Sequence, residues 1–195
     1  MDDIVKQAMA KWPNVPHCYG WLALDARGGW RMRNEQAQQE NLPGDRIDHA
    51  ALLAFINRNY AADERGCWYF QNGPQRVYVN LATTPFVART DPEKGLVVQT
   101  GAALGPVEQA YMTTTGALIV AAAGKVAQVD DRDVAQLIGA MTMEGVPMGD
   151  EALMAWLETG RGNVSLDLQG ARVTVERLTD SDLGQRFGFI ALPQP

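Results

Sequence analysis

Apolar and polar positions alternate most regularly in GCWYFQNGPQRVYVNL, residues 66–81, the period-two pattern of strand, turn and strand. A two-residue Asn-Gly turn would put Pro74 where a backbone N–H must close the hairpin, and proline has none. A four-residue loop from Asn72 to Gln75 avoids the conflict. Gln71 then faces Arg76, Phe70 faces Val77, Tyr69 faces Tyr78 and Trp68 faces Val79. Opposite residues of an antiparallel pair share a face, so Trp68, Phe70, Val77 and Val79 form a core side, and Tyr69, Gln71, Arg76 and Tyr78 an outer side. Residues 163–178, NVSLDLQGARVTVERL, take the same form about a Gln169-Gly170 turn. Val164, Leu166, Val173 and Val175 point inward and Asp167 faces Arg172. A one-residue slip would turn every apolar side chain outward, so each pattern specifies its register.

Helical spacing precedes each of these hairpins. Leu52, Phe55 and Ile56, and likewise Leu153, Trp156 and Leu157, recur at i, i+3, i+4, with Asp48 and Asp150 as expected N-caps. Val134, Leu137, Ile138 and Met141 predict a further helix, with Asp131 and Asp133 at its positive end. Earlier in each half, GWLALDARGGW (20–30) and GALIVAAAGKV (116–126) read as hairpins with glycine at the turn, and TPFVAR and RFGFIAL as closing strands. The repeat distance, roughly 96 to 103 residues, lies outside solenoid periods. The expected fold is therefore α+β, with two tandem units related by duplication, each an antiparallel sheet of hairpins with one or two packed helices. Residues 1–112 form the first unit, with a leading helix, and 113–195 the second.

With 195 residues, 46% of them hydrophobic, the chain can fill a core without covalent staples. Its net charge of −6 has a one-sided origin, because residues 1–97 balance eleven bases against eleven acids while the remainder sets six against twelve. No Lys/Arg cluster is present to release counterions from a phosphate backbone, so no nucleic-acid partner is expected. The longest apolar run, 116–124, is too short to span a bilayer and reads as a buried strand. The acidic start argues against an export signal. Two cysteines, Cys18 and Cys67, are too few for a disulfide framework and suit a reducing cytoplasm.

Local catalytic signatures are missing. His17, Cys18, His49 and Cys67 lack the short ligand spacing of a zinc site, so no metal is expected. TGAALGP lacks the Lys-Ser/Thr of a phosphate loop, and no other cofactor motif appears. The acids of VDDRD fit a helix start, and Met141, Met143, Met148 and Met154 read as core filling. The candidate binding surface is the outer hairpin face, Tyr69, Gln71, Arg76 and Tyr78, because tyrosine and arginine join large contact area to directional polar groups. The competing reading packs this face under the N-terminal helix through Ile4, Ala8 and Trp12. If the face is solvated, Tyr69→Ala should cost far less than the 3 to 5 kcal/mol or so expected of Trp68→Ala.

The runs HCYGWLALDARGGWRM and GCWYFQNGPQRVYVNLATTPFVAR resemble proteobacterial proteins of domain-of-unknown-function families with repeated two-part α+β folds. The resemblance covers mainly residues 12–90. It implies a cytoplasmic bacterial protein of regulatory type and supplies no catalytic residues. Three readings follow: a non-enzymatic regulatory module binding a protein or small ligand, an enzyme with groups such as Arg76, Asp131 or Cys67 where two units meet, and a structural homo-oligomer. A flat Tyr-rich face would favour a protein partner, and a pocket with convergent polar groups a small molecule.

Overall fold

Glycine and proline break the chain into short strands, and a computed structural model describing residues 1–168 and 170–195 assembles them into two sheets. The fold is mixed α/β and mostly sheet, with six α-helices among the described residues. Two compact units result, Met1–Pro85 with Gly188–Pro195, and Phe86–Phe187. The expected boundary at 112/113 falls inside a strand.

The first unit runs α1 (Asp3–Lys11), β1 (Cys18–Leu24), β2 (Trp30–Met32), α2 (Glu35–Gln39), β3 (Asp45–Arg46), α3 (Ala50–Arg58), β4 (Tyr60–Ala62), β5 (Trp68–Asn72) and β6 (Gln75–Leu81). Its sheet has the order β3-β2-β1-β6-β5-β4. All neighbours are antiparallel except β1 and β6, which are parallel. The predicted β5–β6 register is present, and Asn72 also pairs with Gln75, leaving Gly73-Pro74 as a two-residue turn. Gly73 has φ +57°, and glycine at the first central position followed by a φ-locked proline suits a mirror-image turn. On the apolar side Phe55 of α3 meets Phe70 edge-on with centroids 5.3 Å apart, as the helical spacing requires. The C-terminal tail returns to this unit, where Ile190 N–H donates to Gly66 O (3.0 Å) and Leu81 N–H to Ala191 O (2.8 Å).

The second unit comprises β7 (Phe86–Asp91), β8 (Gly95–Val98), β9 (Gln109–Thr113), β10 (Leu118–Ala122), β11 (Lys125–Val129), α4 (Asp131–Ile138), β12 (Met141–Met143), β13 (Val146–Pro147), α5 (Asp150–Thr159), β14 (Val164–Leu168), β15 (Ala171–Leu178) and α6 (Leu183–Phe187). Its sheet order is β13-β12-β14-β15-β9-β10-β11-β7-β8. β15 lies parallel to β9, and β11 to β7. The β14–β15 register is the predicted one, from Val164 opposite Val175 to Leu168 opposite Ala171. The Gln169 half of its predicted turn lies outside the described residues. In β10 the predicted apolar run is fully buried at Leu118, Ile119 and Val120.

Several expectations are corrected. TPFVAR does not close the first sheet. Phe86, Val87 and Ala88 are all buried, and a strand covered on both faces belongs inside a larger sheet, here beside β11. RFGFIAL is the end of α6 followed by a single bridge from Ile190 to Cys67, interrupted by Gly188 at φ +67°. Asp48 pairs with Arg46 (3.1 Å), and the cap of α3 is His49, whose ring nitrogen accepts Leu52 N–H (3.3 Å). Asp150 is already helical after Gly149, and Met141 lies past the end of α4, in β12. The two early hairpins are not equivalently placed, since β1 adjoins the last strand of its sheet whereas β9, not β10, does so in the other.

Candidate functional site

The loop between β4 and β5 is organised by one carboxylate. Asp63 N–H donates to Cys67 O (2.9 Å) and Gly66 N–H to Asp63 O (3.0 Å). The Asp63 side chain accepts from Arg65 N–H (3.0 Å), Cys67 N–H (2.9 Å), Arg65 Nε (3.2 Å) and Tyr78 Oη (2.9 Å). Short polar side chains favour such turns because they satisfy backbone donors that the strands cannot. Burial raises the Asp63 pKa, but the hydrogen bonds from Cys67, Tyr78 and Arg65 outweigh it and hold the carboxyl below its ordinary range. The turn carries the Arg65 guanidinium to 5.6 Å from the Tyr78 ring centroid.

Strand β1 closes a second side. Its pairing with β6 shifts register between Cys18 and Leu22, around Gly20 at φ +80°, a position where bulges re-aim side chains. Tyr19 stacks on Tyr78 with centroids 4.6 Å apart and planes 8° from parallel. His17 lies 5.6 Å from the same ring. From β6 itself, Arg76 places its guanidinium 4.6 Å from the Tyr69 centroid.

Together these side chains surround a polar cavity of about 640 Å³, whose walls include His17, Tyr19, Asp63, Arg65, Arg76 and the two hairpin tyrosines, with Glu64 exposed at its rim. Of the sequence-predicted site, Tyr69, Arg76 and Tyr78 meet here. Gln71 does not: it is fully buried outside the cavity lining, and its amide donates back to Gly73 O (2.9 Å). The outer face, which a flat binding surface would need solvated, is covered. Tyr69 is 6% exposed and Tyr78 1%, deeper than Trp68 and Val77 on the core side, which are half-buried. Nor does α1 cover them as the packing alternative required, because Ile4 is 72% and Trp12 51% exposed. Tyr19, Ala61 and Cys67 pack against the pair instead.

His17, Tyr19, Asp63 and Arg65 were not singled out as binding residues from sequence. The signal available was Asp63-x-x-Gly66, a turn directly before the aromatic strand, whereas the approach of β1 is a long-range pairing without a local mark. Every resolved titration near the cavity moves away from neutrality. Burial pushes up the Cys67 thiol, and burial together with Asp63 pushes up the Tyr78 phenol. Arg65 is raised by its Tyr19, Tyr78 and Asp63 partners. Both cysteines are free. Among the described residues no three His, Cys, Asp or Glu side chains cluster as a metal site, and no helix is long and apolar enough to cross a membrane.

The family model described as "Protein of unknown function (DUF2946)" matches residues 1–194. A solved DUF1285 family protein from Silicibacter pomeroyi DSS-3 is similar at 18% identity, covering 94% of this chain and 98% of that one, with a TM-score of 0.48. Another, from Shewanella baltica OS155, is 12% identical over 60% of this chain and 90% of its own, with a TM-score of 0.42. No curated protein matches.

Proposed function

The chain belongs to that family of unknown function, and we propose from the geometry that it is a non-enzymatic, small-molecule-binding regulatory module whose site is the Tyr/Arg cavity of the first unit. One observation carries the reading: four polar or charged side chains from two strands and a loop, Tyr69, Arg76, Asp63 and Arg65, converge on a cavity of metabolite size. Binding is favoured over acid–base catalysis because Asp63, Tyr78 and Cys67 are each held further from neutral titration than in water, and a proton-transferring group works best near the operating pH. A cytoplasmic setting is part of the same proposal.

Duplication is the finer proposal about the fold. It is supported by strand order: β3-β2-β1-β6-β5-β4 in one sheet recurs as β11-β10-β9-β15-β14-β12 in the other. Within each of these six-strand runs only the central pair is parallel. The second sheet then adds β13 at one edge and β7-β8 at the other.

Native mass spectrometry of freshly purified protein, backed by thermal-shift screening of a metabolite panel, tests the binding reading. A retained small molecule, or a stabilising compound, that Arg76→Gln no longer holds is the expected result. Wild-type protein without bound mass and without response to the panel would contradict it.

A further inference from the structure

We infer, on the footing of the binding reading above, that the cavity takes a small oxyanion, a carboxylate or a phosphate group, held by the Arg76 guanidinium and the Tyr69 hydroxyl. The charges in the walls point this way. Asp63 is saturated by four donors, two of them the backbone N–H and the Nε of Arg65, so that ion pair is closed within the wall. Arg76 has the Tyr78 hydroxyl as a polar neighbour and makes no salt bridge among the described residues, the Asp63 carboxylate acting on it only through space. Its contact with the Tyr69 ring engages the cation without consuming its N–H donors. Those donors match carboxylate and phosphate oxygens two at a time.

Tyr69 supplies an independent observation. Its side chain is almost wholly buried, yet its hydroxyl has no hydrogen-bond partner among the described residues and is not one of the sealed, unpaired polar atoms, which are Gln71 Oε1 and Thr83 Oγ1. The hydroxyl therefore opens into the cavity that the ring lines. A buried ring with a free hydroxyl at a cavity wall is a donor lacking only its acceptor.

A cationic occupant is disfavoured, because the ring faces that would cage an ammonium are already approached by Arg76, Arg65 and Tyr19. Glu64 at the rim is exposed, so solvent and salt screen its carboxylate from the cavity interior. An oxyanion head is the chemistry that remains.

The test is an NMR titration of ¹⁵N-labelled protein at constant ionic strength with sodium acetate and inorganic phosphate in separate arms, and choline and glucose as cationic and neutral arms. An oxyanion should shift the Arg76 Nε–Hε resonance and the Arg65 and Tyr78 amides saturably, with Kd about 1 mM for so small a probe. The tighter of the two anion arms assigns the head group. Arg76→Gln should weaken that binding about tenfold or more, and Tyr69→Phe, which removes one hydroxyl from a retained fold, several-fold. Undiminished anion affinity in both variants overturns the inference. Saturable binding of choline or glucose with silent anions also overturns it while leaving the binding reading in place, and silence in all four arms overturns it too, the binding reading then standing or falling on its own mass-spectrometric and thermal-shift result.

Discussion

Asp63 shows how one residue fixes both the shape and the pH response of the site. Its folded pKa lies below the ordinary carboxylate value, so its stabilising contribution is complete above that value and is lost as pH falls through the folded one. The gap in urea-unfolding free energy between wild type and Asp63→Asn should be full at pH 7 and shrink below about pH 4; a gap independent of pH would refute the assignment. Tyr78→Phe deletes the hydroxyl that donates to this carboxylate and should cost about 2 kcal/mol in the same assay. Side-chain burial gives a further test. Tyr69 and Phe70 are both 6% exposed on opposite faces of β5, so Tyr69→Ala and Phe70→Ala should each cost about 3 to 4 kcal/mol, and half-buried Trp68→Ala less. The alternation of residues 66–81 made the two faces legible in the sequence. It did not reveal that both are covered, because what covers the tyrosines comes from Tyr19, Ala61 and Arg65, which alternation within one hairpin does not specify.

At the scale of elements, both late hairpins keep the registers read from their patterns, since the apolar period leaves one pairing with its hydrophobic side inward. The parallel contact of β1 with β6 had no such signal, as its partners are separated by more than fifty residues and share no turn. The same holds for the tail, which docks on the β4–β5 loop through Gly66. A Cβ built at Gly66 would come within 2.1 Å of Gly188 O, at a φ of +81°. Gly66→Ala should therefore destabilise by about 3 kcal/mol or more and, since Asp63 and Arg65 share the loop, weaken ligand binding. Gly73→Ala, whose Cβ meets nothing within 4 Å, bears only the backbone strain of its positive φ and should be milder by urea denaturation.

At the scale of the whole chain, the first unit is discontinuous, closed by residues 188–195, and the second is continuous. The isolated segment 86–187 should melt cooperatively with sheet-type circular dichroism. Segment 1–85, lacking the partners of Gly66 O and Leu81 N–H, should melt at lower temperature than the same unit with its tail restored. The sequence suggested two units but set their boundary at 112/113, because the short apolar run of TPFVAR does not say which sheet will cover it. The most direct measurement of the central claim is a crystal structure of the protein soaked with whichever of acetate and phosphate binds more tightly. The account predicts oxyanion density within hydrogen-bond distance of the Arg76 guanidinium and the Tyr69 hydroxyl; density only elsewhere, or water alone in the cavity at a saturating concentration, would contradict it.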